Sequence, residues 1–128
     1  MSLQSADSWF SKFIRLRDAD TNGIIRCISC GQPHHWKDAD CGHFIKRQHK
    51  ALRFNEQNAN AQCRSCNWLQ QGNDIAYAAG IDAKYGKGTA DKLRIMKNGT
   101  FHLGKFELKI IADHYREKFM ELKKRKGL

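Results

Sequence analysis

Cys27, Cys30, Cys63 and Cys66 form two C-x2-C pairs, with Cys41 as the fifth cysteine of the chain. Each pair sets two thiolates on a tight turn, so two pairs can complete a tetrahedron around one zinc ion. A redox centre needs one pair and explains less, and disulfides are disfavoured in a reducing compartment. Asp40 and His43 lie between the pairs, Asn58 shortly before the second, and Asn67 directly after it. Hydrolysis of a phosphodiester needs a group that activates water near neutral pH and another that meets charge on the leaving oxygen. Histidine suits the first task, since its ordinary pKa is about 6.5. A divalent cation held by carboxylate and amide oxygens suits the second. The sequence therefore predicts a structural zinc on the four cysteines, and Asp40, His43 and Asn67 provide the side-chain types that a second, hydrolytic centre with a divalent cation, Mg²⁺ or Mn²⁺, would need.

The charge balance agrees with a polyanionic partner. Lys and Arg number 23 against 13 Asp and Glu, a net charge of +10 on 128 residues, which draws a chain of this size toward nucleic acid. Lys46, Arg47, Lys50 and Arg53 cluster just after His43 and are the candidate phosphate contacts, against the plainer reading of a solvated basic loop. The run Lys123 to Lys126 is read as a solvated face that could also lean on phosphate. No apolar run approaches the roughly 20 residues that span a bilayer, and the first residues lack the pattern of a signal peptide. A cytoplasmic protein without membrane contact is the expectation. Asp18 to Gly23 imitates the start of a calcium loop, but its twelfth position is Ser29, so it reads as a polar turn. His34, His35, His102 and His114 have no motif behind them and read as surface or capping residues.

These side chains need elements to hold them. Trp9, Phe10, Phe13 and Ile14 recur at helical spacing and predict a helix over about 5–17, capped by Ser5 or Asp7. Short strands are expected over Ile24 to Ile28 and over Cys41 to Ile45. Residues 46–62 show no period and read as a loop, and Pro33 also falls in a loop. The second cysteine pair opens a helix to about Gln70, which Gly72 breaks. Further helices are expected from Asn73 to Tyr85, from Thr89 to about Lys97 and from Lys105 to Lys124. The sequence thus predicts an α+β, mainly helical fold on a single domain of residues 1–128. Its zinc-bearing ββα core spans about 24–71, and its C-terminal helices span about 73–124.

The run His43, then Asn58-x4-Cys63-x2-Cys66-Asn67, resembles the zinc-stapled motif of HNH nucleases, with Asn67 where many members carry His, as in the HNN variant. The resemblance implies a treble-clef-like ββα-metal fold. In it His43 is the general base on the first strand, Asn58 orients it from the connecting loop, and Asn67 binds the metal from the start of the helix. Many members place a metal ligand immediately before the base. Gly42 stands there, so Asp40 is taken as that ligand, with Cys41 the weaker alternative. A second similarity covers about residues 8–124. Phe13 to Asp18, Cys27 to Gly31, Asp40 to Phe44, Leu52 to Glu56, Gln62-Cys63, Cys66-Asn67 and Gly72-Asn73 resemble the C-terminal part of the NinG/Rap recombination proteins of lambda-like phages. This implies a structure-specific endonuclease acting on branched DNA such as Holliday junctions and D-loops. Larger members carry an N-terminal cysteine-containing segment that this sequence lacks. Two cuts at one junction suggest a homodimer. The alternatives are a non-catalytic zinc-containing DNA-binding module of phage recombination and, less favoured, a sequence-specific HNH enzyme.

Overall fold

A computed structural model describes residues 2–128. It is mixed helix and strand, mainly helical. The first helix, α1 (Leu3–Asp18), turns Phe10, Phe13, Ile14 and Leu16 inward. Its cap is Ser2, whose hydroxyl accepts from the Ser5 amide at 3.1 Å, rather than Ser5 or Asp7. Arg15 and Arg17 occupy its last turn, where cations suit the helix dipole. The following polar turn is organised by Asp20, whose Oδ1 accepts from the amides of Asn22 and Ile24 at 2.9 Å each.

Four short strands make two antiparallel pairs. The strand β1 (Ile24–Arg26) pairs with β2 (Pro33–His35), and the two bracket the first cysteine pair. The proline opens its strand, a position where its missing amide donor is tolerated, so the segment expected as loop is half of a ladder. The strand β3 (Asp40–His43) pairs with β4 (Ala59–Gln62), with Asp40 opposite Gln62 and His43 opposite Ala59. The strand β4 lies inside the 46–62 stretch expected to be loop throughout. Its Ala-Asn-Ala-Gln sequence carries no β-branched or aromatic residue, yet all four residues are buried. Ala59 and Ala61 pack into a cluster with Phe10, Phe13, Trp36, Tyr115 and Phe119. Asn60 and Gln62 make specific polar bonds instead. The Asn60 oxygen accepts from Arg17 at 3.1 Å, Lys84 at 2.7 Å and Tyr85 at 2.9 Å. Gln62 donates to the Gly72 carbonyl at 2.6 Å and to Ser29 Oγ at 2.9 Å.

After β4 the chain makes a π-helical turn, Ser65–Leu69, and then the helices α2 (Asp74–Tyr85), α3 (Thr89–Met96) and α4 (Lys105–Lys126). Phe44, Leu52, Tyr77, Ile81, Ala90 and Leu93 form a second apolar cluster. The β3–β4 pair is therefore held between two cores, one built on α1 and α4 and the other on α2 and α3. The Phe10 and Tyr115 rings meet edge to face at 4.8 Å in the first core. The basic tail is not wholly free, because Lys126 donates to the carbonyls of Leu16, Arg17 and Ala19 at the end of α1.

Gly80 marks where α2 presses on the first cysteine loop. A Cβ there would lie 2.0 Å from the Ile28 carbonyl oxygen, and Ile28 is itself pinned by the hydrogen bond its N–H donates to the Ala61 carbonyl. Helix propensity alone favours alanine over glycine by about 1 kcal/mol. The contact should reverse that sign, and Gly80→Ala is expected to cost about 2–3 kcal/mol in denaturant unfolding of the zinc-loaded protein. A variant as stable as wild type would mean that α2 does not sit this close.

Candidate functional site

The ends of β1 and β4 deliver both cysteine pairs to one point. The sulfurs of Cys27, Cys30, Cys63 and Cys66 all lie within 4.8 Å of one another, and Cys30 and Cys63 approach to 3.8 Å. Four sulfurs at this spacing could hold a structural metal such as zinc. The surrounding donors suit thiolate. The Cys30 amide points at Cys27 Sγ at 3.5 Å, the Cys66 amide at Cys63 Sγ at 3.4 Å, and the Asn73 side chain at Cys66 Sγ at 3.5 Å. Such bonds spread the excess negative charge of a four-thiolate centre. Burial pushes the Cys63 thiol up to about 12, so its deprotonation is tied to cation binding. Cys41 stands apart from this cluster, and burial likewise pushes its thiol up to about 12.

Beside the cysteines a cleft of about 500 Å³ opens between α1, β3 and the π turn. Asp40, Cys41, His43 and Asn67 line it, and Arg15, Lys46, Arg47 and Arg64 are cationic residues of its wall. Asp40 and Asn67 are in direct contact, with the amide donating to Asp40 Oδ2 at 3.1 Å. A half-turn of the carboxamide would put its oxygen in the same place, so a hard cation could meet an oxygen from each. Trp68 Nε1 also donates to Asp40 Oδ2, at 2.9 Å, and Arg64 lies 3.6 Å from Oδ1. Gly42, at the position before the histidine, does not face the cleft. A Cβ there would lie 2.1 Å from Gln62 Oε1, and its carbonyl accepts from Tyr77 at 2.6 Å.

His43 Nε2 donates to the Arg53 carbonyl at 2.9 Å, which leaves Nδ1 with a free lone pair. Burial of the ring pulls its pKa down to about 4, with Arg47 adding to the fall and the Arg53 carbonyl and Asp7 offsetting part of it. The ring is therefore neutral at pH 7. Asn58 makes no bond to it. Its buried amide accepts from the Ile45 amide at 2.8 Å and donates to the carbonyls of Ile45 at 3.0 Å and Leu52 at 3.1 Å. It thus staples the loop that carries Arg53, and any effect on His43 passes through that loop.

The basic residues after His43 fall into different places. Lys46 and Arg47 are exposed on the cleft wall. Lys50 is exposed on the 3-10 turn Lys50–Leu52 and is not among the residues lining the cleft. Arg53 is turned inward, with 14% of its side chain exposed. It is clasped by Asp7, with Nε at 3.0 Å from Oδ1, and it donates to the Arg47 carbonyl. The expected phosphate contact at Arg53 is thus an internal ion pair. His35 accepts from the Lys37 amide at 3.2 Å, a capping role. The sequence reading missed Asp7, Ser11 and Arg15, which α1 contributes to the cleft. Their spacing of four sets a polar stripe beside the apolar one, a signal that was there to be found. Arg64 and Trp68 flank Asn67 at the same spacing.

Residues 3–125 match the family described as Bacteriophage Lambda NinG protein. The chain belongs to the NinG family. It is 31% identical over 125 residues to Protein ninG of Escherichia phage lambda, covering 94% of this chain and 57% of that protein. Protein ninG of Salmonella phage P22 is 29% identical over 124 residues with the same coverage. That of Escherichia phage 933W is 31% identical over 99 residues, covering 75% of this chain and 46% of the relative. The chain thus spans about half the length of these NinG relatives. No solved structure matches it. Among the described residues, no helix is long and apolar enough to cross a membrane.

Proposed function

We propose that this NinG-family chain is a metal-dependent DNA endonuclease of the HNH type. The β3–β4 pair and the helical turn after it would serve as a ββα-metal unit stapled by zinc on Cys27, Cys30, Cys63 and Cys66. The observation that carries the reading is that Asp40, Asn67 and a neutral His43 share one basic cleft. His43 Nδ1 takes the proton of a water as that water attacks phosphorus, and the ring is held in the required tautomer by its bond to the Arg53 carbonyl. The 3′ oxygen leaves in line, giving 5′-phosphate and 3′-hydroxyl ends. Mg²⁺ or Mn²⁺ held by Asp40 and Asn67 would supply positive charge to the leaving oxygen. Lys46, Arg47, Arg15 and Arg64 are the phosphate contacts that this cleft favours, with Lys50 an outlying one. Branched recombination intermediates are the substrates suggested by the resemblance to NinG/Rap proteins. A homodimer would supply the two cuts that a four-way junction requires.

The test is incubation of zinc-loaded protein with labelled junction, flap and linear DNA, with and without Mg²⁺ or Mn²⁺. Cleavage should require the added cation and fall by about 100-fold or more in Asp40→Asn. DNA left intact on every substrate by protein with a full complement of zinc would overturn the reading. If that protein still bound DNA, the non-catalytic zinc module would take its place.

A further inference from the structure

Trp68 is out of place for a side chain whose only task is structural. The residue is 74% exposed, and its neighbour Leu69 is 84% exposed. Neither belongs to an apolar cluster of the fold. Yet the ring is anchored, because its Nε1 bonds Asp40 at 2.9 Å on the edge of the cleft. The turn that carries it is fastened at both ends. Cys66 lies in the sulfur cluster, the Gln70 amide closes the turn on the Ser65 carbonyl at 3.0 Å, and the Asn73 side chain returns to Cys66 Sγ. Just beyond the turn Gln71, Gly72 and Asn73 take left-handed conformations, with φ of 51°, 93° and 49°. A π turn followed by left-handed backbone is a costly way to shape a loop, and such features concentrate at functional positions. Here they hold an aromatic face outward on a rigid support.

The surroundings say what that face could receive. Arg64, one turn earlier, reaches the same carboxylate and is largely exposed. Arg47 and Lys46 are exposed on the same cleft. A flat aromatic ring at the edge of a cleft with cations in its wall fits a nucleotide, with the base on the ring and the phosphates against the charges. In an intact duplex each base face is covered by its neighbours, so the ring can meet a base only where stacking is broken. We propose that Trp68 stacks on an unpaired base next to the phosphate held in the cleft, and so gives the protein a preference for DNA with interrupted stacking. This rests on the reading of the cleft as a DNA site, and it names the feature of the substrate that the site would select. The Nε1 bond to Asp40 would link that recognition to the proposed cation ligand.

Binding is measured by fluorescence anisotropy with the zinc-loaded chain, with neither chelator nor added Mg²⁺, so that cutting does not intervene. The probes are a duplex with one extrahelical thymidine and the same duplex with an abasic analogue at that position. Wild type should bind the thymidine probe about 10-fold more tightly than the abasic one. Trp68→Ala should bind both alike, and Trp68→Phe should keep most of the difference, since a phenyl ring stacks without the Nε1 bond. Wild type that does not distinguish the probes, or Trp68→Ala that still does, overturns the proposal. Failure to bind either probe overturns it together with the DNA reading. A Trp68-dependent preference in a protein that cuts no DNA sinks only the nuclease. Metal-dependent cutting without that preference sinks only the role of Trp68.

Discussion

Cys63→Ser is expected to lose zinc and with it the cooperative fold. Cys63 sits between β4 and the π turn, and its sulfur is 3.8 Å from that of Cys30, 33 residues earlier. The cluster therefore ties the β1–β2 unit to the β3–β4 unit. A structural zinc contributes about 10–16 kcal/mol of binding free energy, whereas a whole domain is stable by about 5–15 kcal/mol. The core of the metal-free chain would have to close that gap alone, and with its apolar residues divided among separate clusters it has little surplus. Wild type should carry one zinc per chain and melt in one cooperative step. Cys63→Ser, or wild type treated with a strong chelator, should lose that step in circular dichroism. Cys41→Ala is the control, because Cys41 lies outside the cluster and its loss should leave the zinc in place. Unaltered melting in zinc-free protein would show that the four sulfurs are only packed thiols.

The parts of this molecule that were legible in the sequence are those whose signal is local. The spacing of the cysteines encodes their tight turns, and the apolar stripes of α1 and α4 encode helices that bury one face. The strand β4 was illegible because its partners are distant. Asn60 is buried only because Arg17, Lys84 and Tyr85 arrive from two helices, and no window around Asn60 contains them. The strand β2 hid behind Pro33, a residue that weakens any strand forecast. Arg53 misled for a related reason, since its partner Asp7 lies 46 residues away. Sequence proximity to His43 suggested a phosphate contact, while the fold uses the side chain to fasten α1 to the loop.

Gly42 bears on where the proposed metal site draws its ligands. The HNH resemblance places a metal ligand at this position, but any side chain there would meet Gln62 rather than the cleft. Asp40, at the open end of β3, is the residue that touches Asn67. Asp40 comes to the cleft from the first position of β3, while position 42 is committed to the interior.

His43→Ala should reduce the proposed cleavage by about 10²–10⁴-fold, the usual contribution of a positioned general base. The pH dependence carries more information than the loss. An ordinary histidine is half protonated near pH 6.5 and fails as a base below that. Burial, with Arg47 beside it, takes the His43 ring down to about 4. The ring gains its proton, and activity falls, only as pH drops through about 4. Between pH 7.5 and 5.5 the base should stay fully deprotonated and kcat/KM should be flat at saturating divalent metal, with zinc content checked at each pH. A bound phosphodiester that pairs with Arg47 removes part of the field that depresses the ring. The acid limb of kcat, which reports the substrate complex, should therefore sit above that of kcat/KM. A limb centred near 6.5 in kcat/KM would show that the ring does not occupy this buried position. Cleavage by His43→Ala within about 2-fold of wild type, from a variant that keeps its zinc and its melting transition, would remove His43 from the chemistry, since a positioned base contributes far more than that.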